Sequence, residues 1–472
     1  MRIKERYIWI LLSLILIVSL VVPVIAQNVP GNGTINKTEN EQVNEYAQKM
    51  EDVFRFLKQN YVEDVDPEQL FIGAVKGMME SLEDPYTYYL SKDDMRSLMD
   101  ATTGEFGGLG LYISKPEPGS EASGQLPFVK IVSPIEDTPA YRTNILPGDY
   151  IVKIEDESTE KMTIDDVLDK LRGKAGTDVR ISILRGKDIA FDVTITRAEI
   201  VIPTVKHAML DNSTGYMRII QFTEHTPEKV QEALSFFKKN HYKALIIDVR
   251  NNPGGLLRSV VKISDFFLSE GVIVSTRSRI KSRNAVYNAT GWRTIVPKKL
   301  KIVVLINKGS ASASEILAGA LKDTKRGVLL GETSYGKGSV QQIQPLGEGG
   351  FKYTVSKYYT PSGTNINKIG IKPNIIVKED EFTEEEIASY KILIEENLVE
   401  KFVNKKKRDK ISASDINNFI KELRNKKIVL RENVLKRLIK NEINKYNKNP
   451  PVFDLEYDIV LQKALEVIEK KR

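Results

Sequence analysis

The pattern of apolar and polar residues changes several times along the chain. A nearly continuous apolar run extends from Tyr7 to Ala26, after a mostly basic lead. From Glu41 to about Ala101, apolar residues recur at helical spacing, which predicts helices. Residues 105–197 contain short β-type runs separated by Gly and Pro turns, with one helical stretch from Thr163 to Leu171. This part of the pattern predicts a small β-rich domain with one or two helices.

Strands and helices alternate from about Ile200 to Glu379, which predicts an α/β domain. One predicted strand, 301–306, is almost fully apolar, as is typical of a central strand covered on both faces. From Asp380 onward the chain reads as charged helices with little β signal. The other strands of the α/β segment are predicted at 215–220, 244–249 and 327–330.

Composition limits the classes of protein to consider. The 472 residues are too many for one hydrophobic core, so two to four domains are expected. The absence of cysteine excludes disulfides, thiolate metal sites and a cysteine nucleophile. The formal charge of +7 is a mild excess of 70 basic over 63 acidic residues. Because no aromatic residues interleave with the basic stretches near the C-terminus, we expect no nucleic acid partner.

The N-terminal segment argues for export. The apolar run that ends at Ala26 has small or medium residues where signal peptidase cleaves, and its length is close to that needed to span a bilayer. A cleaved signal peptide and a retained membrane anchor therefore both remain open. In either case the basic lead stays cytoplasmic and the remainder of the chain is placed outside. The polar residues that follow, to about residue 40, read as a linker.

The segment from Gly309 to Ile316 contains three serines between an apolar strand and an apolar helix. The first turn of a helix offers free backbone N–H groups and a partial positive charge, which stabilise the oxyanion formed when a hydroxyl attacks a carbonyl. A serine at this position is therefore a candidate nucleophile. The alternative is that the serines only cap the helix, with Glu315 completing a capping box.

A serine nucleophile needs a base, and none of the three histidines lies in a Gly-rich turn. Lysine can replace histidine when burial favours its neutral form. Lys337 is the candidate, because it lies between two glycines after a predicted strand. The segment from Gly331 to Lys337 also matches most of a phosphate-binding P-loop, but Gly338 stands where that motif needs Ser or Thr to bind magnesium.

A third Gly-rich segment, Asp248 to Leu257, also follows an apolar strand and enters a helix. Ligands gather at the carboxyl ends of strands in α/β sheets, and two adjacent glycines can offer backbone N–H groups to an anion. Each of the three segments alone is compatible with an ordinary tight turn. Together, at strand ends of one domain, they favour an active site.

These three segments resemble those of the carboxyl-terminal processing peptidases, also called tail-specific proteases, in motif, order and spacing. The resemblance spans roughly residues 45–379 and implies an exported serine endopeptidase without metal or other cofactor. The family nucleophile falls on Ser312 and the family base on Lys337. A glutamine one helical turn beyond the lysine, Gln341, is expected to orient it.

The resemblance also implies an oxyanion hole made of backbone N–H groups. The matching positions are Gly255, the second glycine after Asn-Asn-Pro, and Ala313, the residue after the nucleophile. Ser310 and Ser314 are then expected to be structural neighbours that cap the helix.

The small β-rich domain resembles a PDZ domain. The segment Gly108, Leu109, Gly110 and Leu111 is similar to a carboxylate-binding loop, whose backbone N–H groups capture a terminal carboxylate while the peptide adds as a strand. The implied partners are protein substrates with apolar, unstructured C-terminal tails. A contact with the membrane through an uncleaved N-terminal segment and a homodimer through the terminal helical regions are compatible with the resemblance.

The expected fold class is a multidomain α/β protein. A crotonase-like α/β protease core carries an inserted small β-rich PDZ domain and helical N- and C-terminal regions. The predicted boundaries are 1–26 for the signal peptide or anchor, 27–40 for the linker, 41–104 for the N-terminal helical region, 105–197 for the PDZ domain, 198–379 for the protease core and 380–472 for the C-terminal helical region.

Two other classes compete with an active protease. A peptide-binding adaptor with a dead protease core would have lost the serine or the lysine, and both are present. A membrane-anchored structural scaffold would not need three Gly-rich motifs at strand ends. The expected role is protein processing, signalling proteolysis or quality control, among which the sequence does not choose.

Overall fold

The computed structural model describes the following residues: 37–92, 94–96, 98, 105–114, 126–135, 138–143, 145–146, 148–186, 189–201, 203–378, 382–406, 411–444, 447 and 450–470. The predicted signal peptide or anchor, 1–26, and most of the predicted linker lie outside these residues. No helix of the described part has both the length and the apolarity to cross a bilayer. The chain forms two compact units, of which the first ends at Glu83 and the second begins at Asp84.

The helices and strands have the following bounds. The helices are α1 Lys37–Asn60, α2 Pro67–Glu80, α3 Ile164–Leu171, α4 Thr226–Lys239, α5 Leu257–Phe267, α6 Ala313–Asp323, α7 Glu384–Glu395, α8 Leu398–Lys405, α9 Ala413–Asn425, α10 Glu432–Asn444 and α11 Ile459–Lys470. The strands are β1 Tyr88–Leu90, β2 Glu105–Gly108, β3 Leu111–Ser114, β4 Val129–Pro134, β5 Tyr150–Ile154, β6 Glu157–Ser158, β7 Asp178–Arg185, β8 Ile189–Thr196, β9 Ala198–Val201, β10 Val205–Met209, β11 Thr214–Ile219, β12 Ala244–Asp248, β13 Val272–Arg277, β14 Ala285–Asn288, β15 Lys301–Ile306, β16 Val328–Gly331, β17 Ser339–Leu346, β18 Gly349–Tyr359 and β19 Ile375–Ile376.

The first unit contains α1 and α2. Helix α2 begins where the sequence provides a start signal, because Asp66 accepts a hydrogen bond from the N–H of Glu68 and Pro67 occupies the first helical position. Helix α1 exposes apolar side chains along its length, including Val43 and Val53. Helices are confirmed in the first part of the region predicted as helical, but the prediction is wrong at Tyr88–Leu90, where the chain forms the strand β1.

A small antiparallel sheet, β3-β4-β5-β7-β8 with β6 paired to β5, forms the β-rich domain. Alternate residues of these strands, such as Ile131, Ile151 and Ile181, are buried in a core that also includes Val167 of α3. Helix α3 starts at a capping box, in which Thr163 and Asp166 exchange hydrogen bonds. The predicted β-rich domain with a helix from Thr163 is confirmed.

The α/β core is a sheet in the order β10-β11-β12-β15-β16-β19, parallel except for β10. One face packs against α4, α5 and α6 in a core that includes Phe237, Ile263 and Leu317. The other face is covered by α11, whose Leu461 and Ala464 share a core with β15. The strand β15 is therefore buried on both faces, which explains its continuous apolar run.

A second sheet lies beside the core, in the order β1-β18-β13-β14, with β17 paired to β18. The hairpin of β17 and β18 follows the predicted base Lys337 directly. The short strand β1 adds to the edge of β18, with Tyr89 opposite Phe351. This sheet places the segment from Asp84 to Leu90 next to the hairpin that follows the lysine.

The C-terminal region is helical, as predicted. Helices α7 to α10 share a core of their own, which includes Val403, Phe419 and Ile439. An ion pair of 3.3 Å between Lys130 and Glu400 joins these helices to the small β domain. The last helix, α11, instead packs on the core sheet, so the C-terminal region completes the fold of the α/β core.

Candidate active site

Two loops meet at the carboxyl edge of the core sheet, because their strands β12 and β15 are parallel neighbours. The hydroxyl of Ser310 donates to the carbonyl oxygen of Val249 at 2.7 Å, and that of Ser314 donates to the carbonyl oxygen of Asn252 at 2.9 Å. The expectation that these two serines cap the helix is wrong. They tie one loop to the other, and Ser312 occupies the N-cap position.

Ser312 has an unusual backbone conformation, with φ 54° and ψ −112°. A positive φ is strained for a residue with a side chain, at a cost of about 1–3 kcal/mol, and it persists only where the surroundings enforce it. Such strain is typical of sharp strand-to-helix turns that present a nucleophile. The side chain is 7% exposed at the start of α6, where the helix leaves its first N–H groups without intrahelical partners.

A buried carboxylate, Glu315, joins the serine turn to the lysine turn. Its Oε2 accepts the N–H of Ser312 at 2.8 Å and the N–H of Lys337 at 2.9 Å. Its Oε1 accepts the hydroxyl of Ser334 at 2.6 Å and the N–H of Gly336 at 2.7 Å. Because one oxygen bonds both Ser312 and Lys337, their backbone nitrogens lie no farther apart than the sum of those two distances.

The environment of Lys337 favours its neutral form. Burial lowers the pKa of Lys337, and the nearby charge of Lys352 lowers it further, whereas Glu315 raises it. Its Nζ lies 4.8 Å from the centre of the Tyr86 ring. The turn requires glycine after the lysine, since a Cβ on Gly338 would lie 2.3 Å from the backbone nitrogen of residue 367.

The side chain of Tyr358, a buried residue of β18, lies near the hydroxyl of Ser312. Burial raises the pKa of Tyr358 to about 12, although the nearby hydroxyl of Ser312 opposes this. The N–H of Tyr358 donates to the carbonyl of Gly338 at 2.8 Å, next to Lys337. Among the described residues, no hydrogen bond joins Lys337 to the hydroxyl of Ser312.

Gln341 lies on strand β17, so the expected helical turn between it and Lys337 does not exist. Its Nε2 donates to the hydroxyl of Ser339 at 2.8 Å and approaches that of Thr354 at 3.4 Å. Thr354 in turn donates to Asp84 at 2.6 Å. Gln341 therefore belongs to a polar chain that connects the hairpin to the segment before β1, and in the described part of the protein this chain does not include the amine of Lys337.

Gly255 and Ala313 both offer backbone N–H groups beside Ser312. Gly255 pairs with Phe222 in a parallel bridge that uses the carbonyl of Gly254 and the N–H of Leu256. That pattern directs the N–H of Gly255 away from Phe222. Within the described residues, neither this N–H nor that of Ala313 has a hydrogen-bond acceptor.

Gly254 brings the two loops into close contact. Its φ is +104°, and a Cβ there would lie 2.8 Å from the Cβ of Ser312 and 2.9 Å from the nitrogen of Ala313. Gly255 is equally restricted, because a Cβ would lie 2.1 Å from the carbonyl oxygen of Phe222. Only glycines allow the loop to approach the nucleophile turn this closely.

An ion-pair network holds the start of the Gly-rich loop that follows β12. Asp248 is buried and accepts hydrogen bonds from the hydroxyl of Tyr216 and from Arg250, which also binds Asp458 at 2.6 Å. Burial tends to raise the pKa of Asp248, but Arg250 outweighs it and the pKa is lowered. The network anchors the start of the Gly-rich loop to the segment that begins α11.

The predicted carboxylate-binding loop lies at one end of the small β domain. The carbonyls of Leu109 and Gly110 accept hydrogen bonds from the N–H groups of Ala140 and Ile135, at 2.9 Å and 2.8 Å. Their own N–H groups have no acceptor among the residues that the structure describes. Gly110 has φ +81° and no room for a Cβ beside Thr138. Gly108 ends β2, and Leu111 begins β3.

Sequence reasoning missed three contributors to this site. Glu315 was interpreted only as half of a capping box, which accounts for its bond to Ser312 but not for those to the lysine turn. Tyr358 and Tyr86 come from distant segments, and their residue types carry no signal of their position. The described residues include no cluster of three or more His, Cys, Asp or Glu that could hold a metal ion.

Comparison with known proteins gives a consistent picture. The pattern of Peptidase family S41 matches residues 213–377, that of the PDZ domain matches 130–185, and that of the activating protease CtpB N-terminal domain matches 26–94. A carboxy-terminal-processing protease of Bartonella bacilliformis is 40% identical over 350 residues, which cover 72% of this chain and 78% of that protein.

Carboxy-terminal processing protease CtpB of Bacillus subtilis is 37% identical over 343 residues, covering 71% of this chain and 68% of that protein. A solved structure described as a photosystem II D1 C-terminal processing protease is 29% identical, with a TM-score of 0.43, and covers 70% of this chain and 92% of its own. The extent of the sequence similarity establishes that the chain belongs to the carboxy-terminal processing proteases, serine-type peptidases of family S41, and carries a PDZ domain.

Proposed function

We propose that this protease cleaves proteins near their C-termini through a dyad of Ser312 and Lys337. The observation that carries the proposal is the single oxygen of Glu315, which bonds the backbone N–H groups of both residues. A lysine side chain is long enough to reach a serine hydroxyl from a backbone held this close. The lowered pKa of Lys337 supports its role, because a general base must be neutral.

In the proposed reaction, the neutral amine of Lys337 takes the proton of the Ser312 hydroxyl as Oγ attacks the scissile carbonyl. The N–H groups of Gly255 and Ala313 stabilise the oxyanion, which is the role that their unpaired state favours. The resulting ammonium of Lys337 gives this proton to the leaving amine, and water then hydrolyses the acyl-enzyme. Gln341 is proposed to position the lysine through the polar chain of the hairpin.

The dyad requires a change of side-chain positions before it can act. Among the described residues no hydrogen bond joins the amine of Lys337 to the Ser312 hydroxyl, and that amine lies 4.8 Å from the centre of the Tyr86 ring. Rotation of these two side chains, with both turns held by Glu315, would bring the amine to the hydroxyl. We infer that the described side chains represent a resting arrangement, from which the dyad would form on this rotation.

The dyad is tested by cleavage of an unfolded reporter with an apolar C-terminal tail. We expect Ser312→Ala and Lys337→Ala to be folded but inactive, while Ser362→Ala and Lys368→Ala, on nearby exposed turns, retain activity. Mass spectrometry of the wild type should show an acyl-enzyme on the peptide that contains Ser312. Cleavage by Ser312→Ala would move the nucleophile to another serine and overturn the assignment.

We further propose that the PDZ domain recognises substrate tails through the loop from Gly108 to Leu111. The N–H groups of Leu109 and Gly110, which have no acceptor among the described residues, are suited to a terminal carboxylate. A fluorescent apolar peptide with a free C-terminus should bind, and the same peptide with an amidated C-terminus should bind at least about tenfold more weakly. Equal binding of the two peptides would remove the loop as the recognition site.

Export and dimerisation are also proposed. The apolar segment 1–26 would act as signal peptide or anchor, which fractionation and N-terminal sequencing of the mature protein test. Helix α1 exposes Val43, Tyr46, Met50 and Val53 at the alternating intervals of a coiled-coil seam, and a second copy of the chain is the proposed partner. Sedimentation of the full chain should give a dimer, and Met50→Glu should give a monomer.

A further inference from the structure

A strongly basic surface lies at the amino edge of the core sheet, opposite the active site. The parallel strands β12 and β15 start here, with Ala244 beside Lys301, and the catalytic loops follow their other ends. The six residues of β15 place the two edges roughly 17 Å apart. A partner bound at the amino edge would therefore leave the active site accessible.

Six exposed lysines define this surface, which we name the basic edge. Two end α4, one precedes β12, two precede β15 and one follows α6. They are Lys238, Lys239, Lys243, Lys298, Lys299 and Lys325. None of them forms an ion pair within the described part of the chain. The C-termini of α4 and α6 attract cations, but this accounts only for the lysines in or beside their last turns.

Three lysines of the basic edge lie around one cavity. Lys298, Lys299 and Lys325 line a shallow cavity of about 230 Å³. Arg326 fixes its wall, because the guanidinium donates to the carbonyl oxygens of Leu300 at 2.8 Å and of residue 297 at 2.9 Å. Tyr242, beside Lys243, packs its ring on Phe237 of α4, with 5.7 Å between the ring centres. The same edge also carries acidic residues, namely Asp211 before β11, Glu270 after α5, Asp323 at the end of α6 and Glu469 near the end of α11.

An exposed tryptophan lies in the same loop. Trp292 is 73% exposed and Ile295 is 45% exposed, just before Lys298 and Lys299. The loop itself is well fixed, since Thr294 donates to the carbonyl of residue 268 at 2.8 Å and Val296 is buried. Single exposed apolar residues are common, so Trp292 and Ile295 are informative only because they lie beside Lys298 and Lys299 on a fixed loop.

We propose that the basic edge, together with Trp292 and Ile295, docks the protease on the surface of a bilayer that contains anionic phospholipid. Lysines attract the headgroups, and an indole is favoured at the boundary between headgroups and acyl chains. A soluble polyanion would use the lysines but gain nothing from Trp292 and Ile295. Docked in this way, the protease would hold its active site away from the membrane and open to substrate tails.

The test uses the full chain and the fluorescence of Trp292. Trp9 and Trp292 are the two tryptophans, so Trp9→Phe leaves Trp292 as the only reporter. Vesicles of phosphatidylcholine, with or without phosphatidylglycerol, are added, and some carry brominated acyl chains that quench nearby indoles. We expect a blue shift and quenching with phosphatidylglycerol, little change without it, and loss of both at about 0.5 M salt. Whether or not the N-terminal segment also inserts, the emission reports only on this loop.

Charge-reversal variants distinguish an effect of the basic edge itself from an effect of the protein's net charge. In the Trp9→Phe background, the triple variant with Lys298→Glu, Lys299→Glu and Lys325→Glu should need at least about tenfold more anionic lipid for the same quenching. A control with Lys401→Glu, Lys421→Glu and Lys427→Glu changes the net charge equally on the C-terminal helices and should behave like the parent. Reporter cleavage in solution should be unchanged in both.

Three results would overturn the proposal. The first is an emission spectrum of Trp292 that remains that of a water-exposed indole after anionic vesicles are added. The second is equal quenching with and without phosphatidylglycerol, since the lysines would then have no part. The third is equal loss of quenching in the triple variant and its control. Capture of the protein by a soluble polyanion such as heparin with no change of emission in vesicles would identify a different partner and also reject the bilayer.

Discussion

The close approach of Gly254 to the nucleophile turn makes it the sharpest probe of the proposed oxyanion hole. In Gly254→Ala the new methyl group would start 2.8 Å from the Cβ of Ser312 and 2.9 Å from the nitrogen of Ala313. Carbon atoms in contact are ordinarily about 3.5–4.0 Å apart, so one loop must move by about 1 Å. A displacement of that size at a reacting centre costs about 100-fold in rate, and loss of one oxyanion donor costs about 100- to 1,000-fold.

We therefore expect Gly254→Ala to lower kcat on the tail reporter by about 100- to 1,000-fold, with a much smaller change in KM. The backbone contributes a separate effect, because φ +104° is strained for alanine and should lower the free energy of unfolding by about 1–3 kcal/mol. Gly271→Ala is the matched control. The φ of Gly271 is +88°, and a Cβ there would meet nothing within 4 Å. The alanine variant would therefore have the backbone strain without a steric clash.

The assay compares the two variants in urea unfolding and in reporter cleavage. The result that supports the reasoning is similar destabilisation of both variants with a loss of rate in Gly254→Ala alone. A folded Gly254→Ala protein with a rate within about threefold of the wild type would refute it, because a shifted hole cannot keep its oxyanion stabilisation. Equal loss of rate in Gly271→Ala would show that backbone strain, and not contact with the nucleophile, is responsible.

Three further predictions concern charge and hydrogen bonding around the site. Lys352→Met removes a like charge that lowers the pKa of Lys337, so the rising limb of kcat/KM against pH should move to higher pH. Arg250→Met leaves the buried Asp248 without its cation, and urea unfolding at neutral pH should show a loss of about 3–5 kcal/mol. Tyr358→Phe removes a hydroxyl that lies near the nucleophile and, on our proposal, favours its resting position, so kcat should rise by up to about fivefold.

Each of these predictions has a control or a contrary result. Lys357→Met on the same strand should leave the pH profile unchanged, and an equal shift would assign the effect to net charge. The sign for Asp248 follows from its lowered pKa: the stability it contributes is present above its unfolded pKa and lost on acidification. The cost of Arg250→Met should therefore shrink in acid. A drop in kcat for Tyr358→Phe would mean that the hydroxyl assists the reaction.

The sequence predicted those parts of the site that depend on local pattern. The apolar run at 301–306 and the Gly-rich turn after it placed a serine at a helix start, and the helix does begin at Ala313. The general rule that parallel strands end at one edge predicted that the loop after Asp248 would lie beside that serine, and the contacts of Ser310 and Ser314 confirm it.

The hairpin of β17 and β18 could not be predicted in the same way. The segment from Ser339 onward is rich in glutamine and has weak alternation, because both faces of this strand are partly exposed. It was therefore not recognised as a strand, and Gln341 was placed on a helical turn. Tyr358 lies on the partner strand, and only the pairing of the hairpin brings it beside Ser312.

The strained turn at Ser312 shows why local sequence carries only part of the site. A positive φ costs about 1–3 kcal/mol, which the capping bond to Glu315 alone would offset by about 1 kcal/mol. The remaining support comes from Asn252, which accepts the hydroxyl of Ser314 and the N–H of Ala311. These bonds join segments that are distant in sequence. The conformation that presents the nucleophile is therefore a property of the assembled sheet edge, and the isolated turn would not keep it.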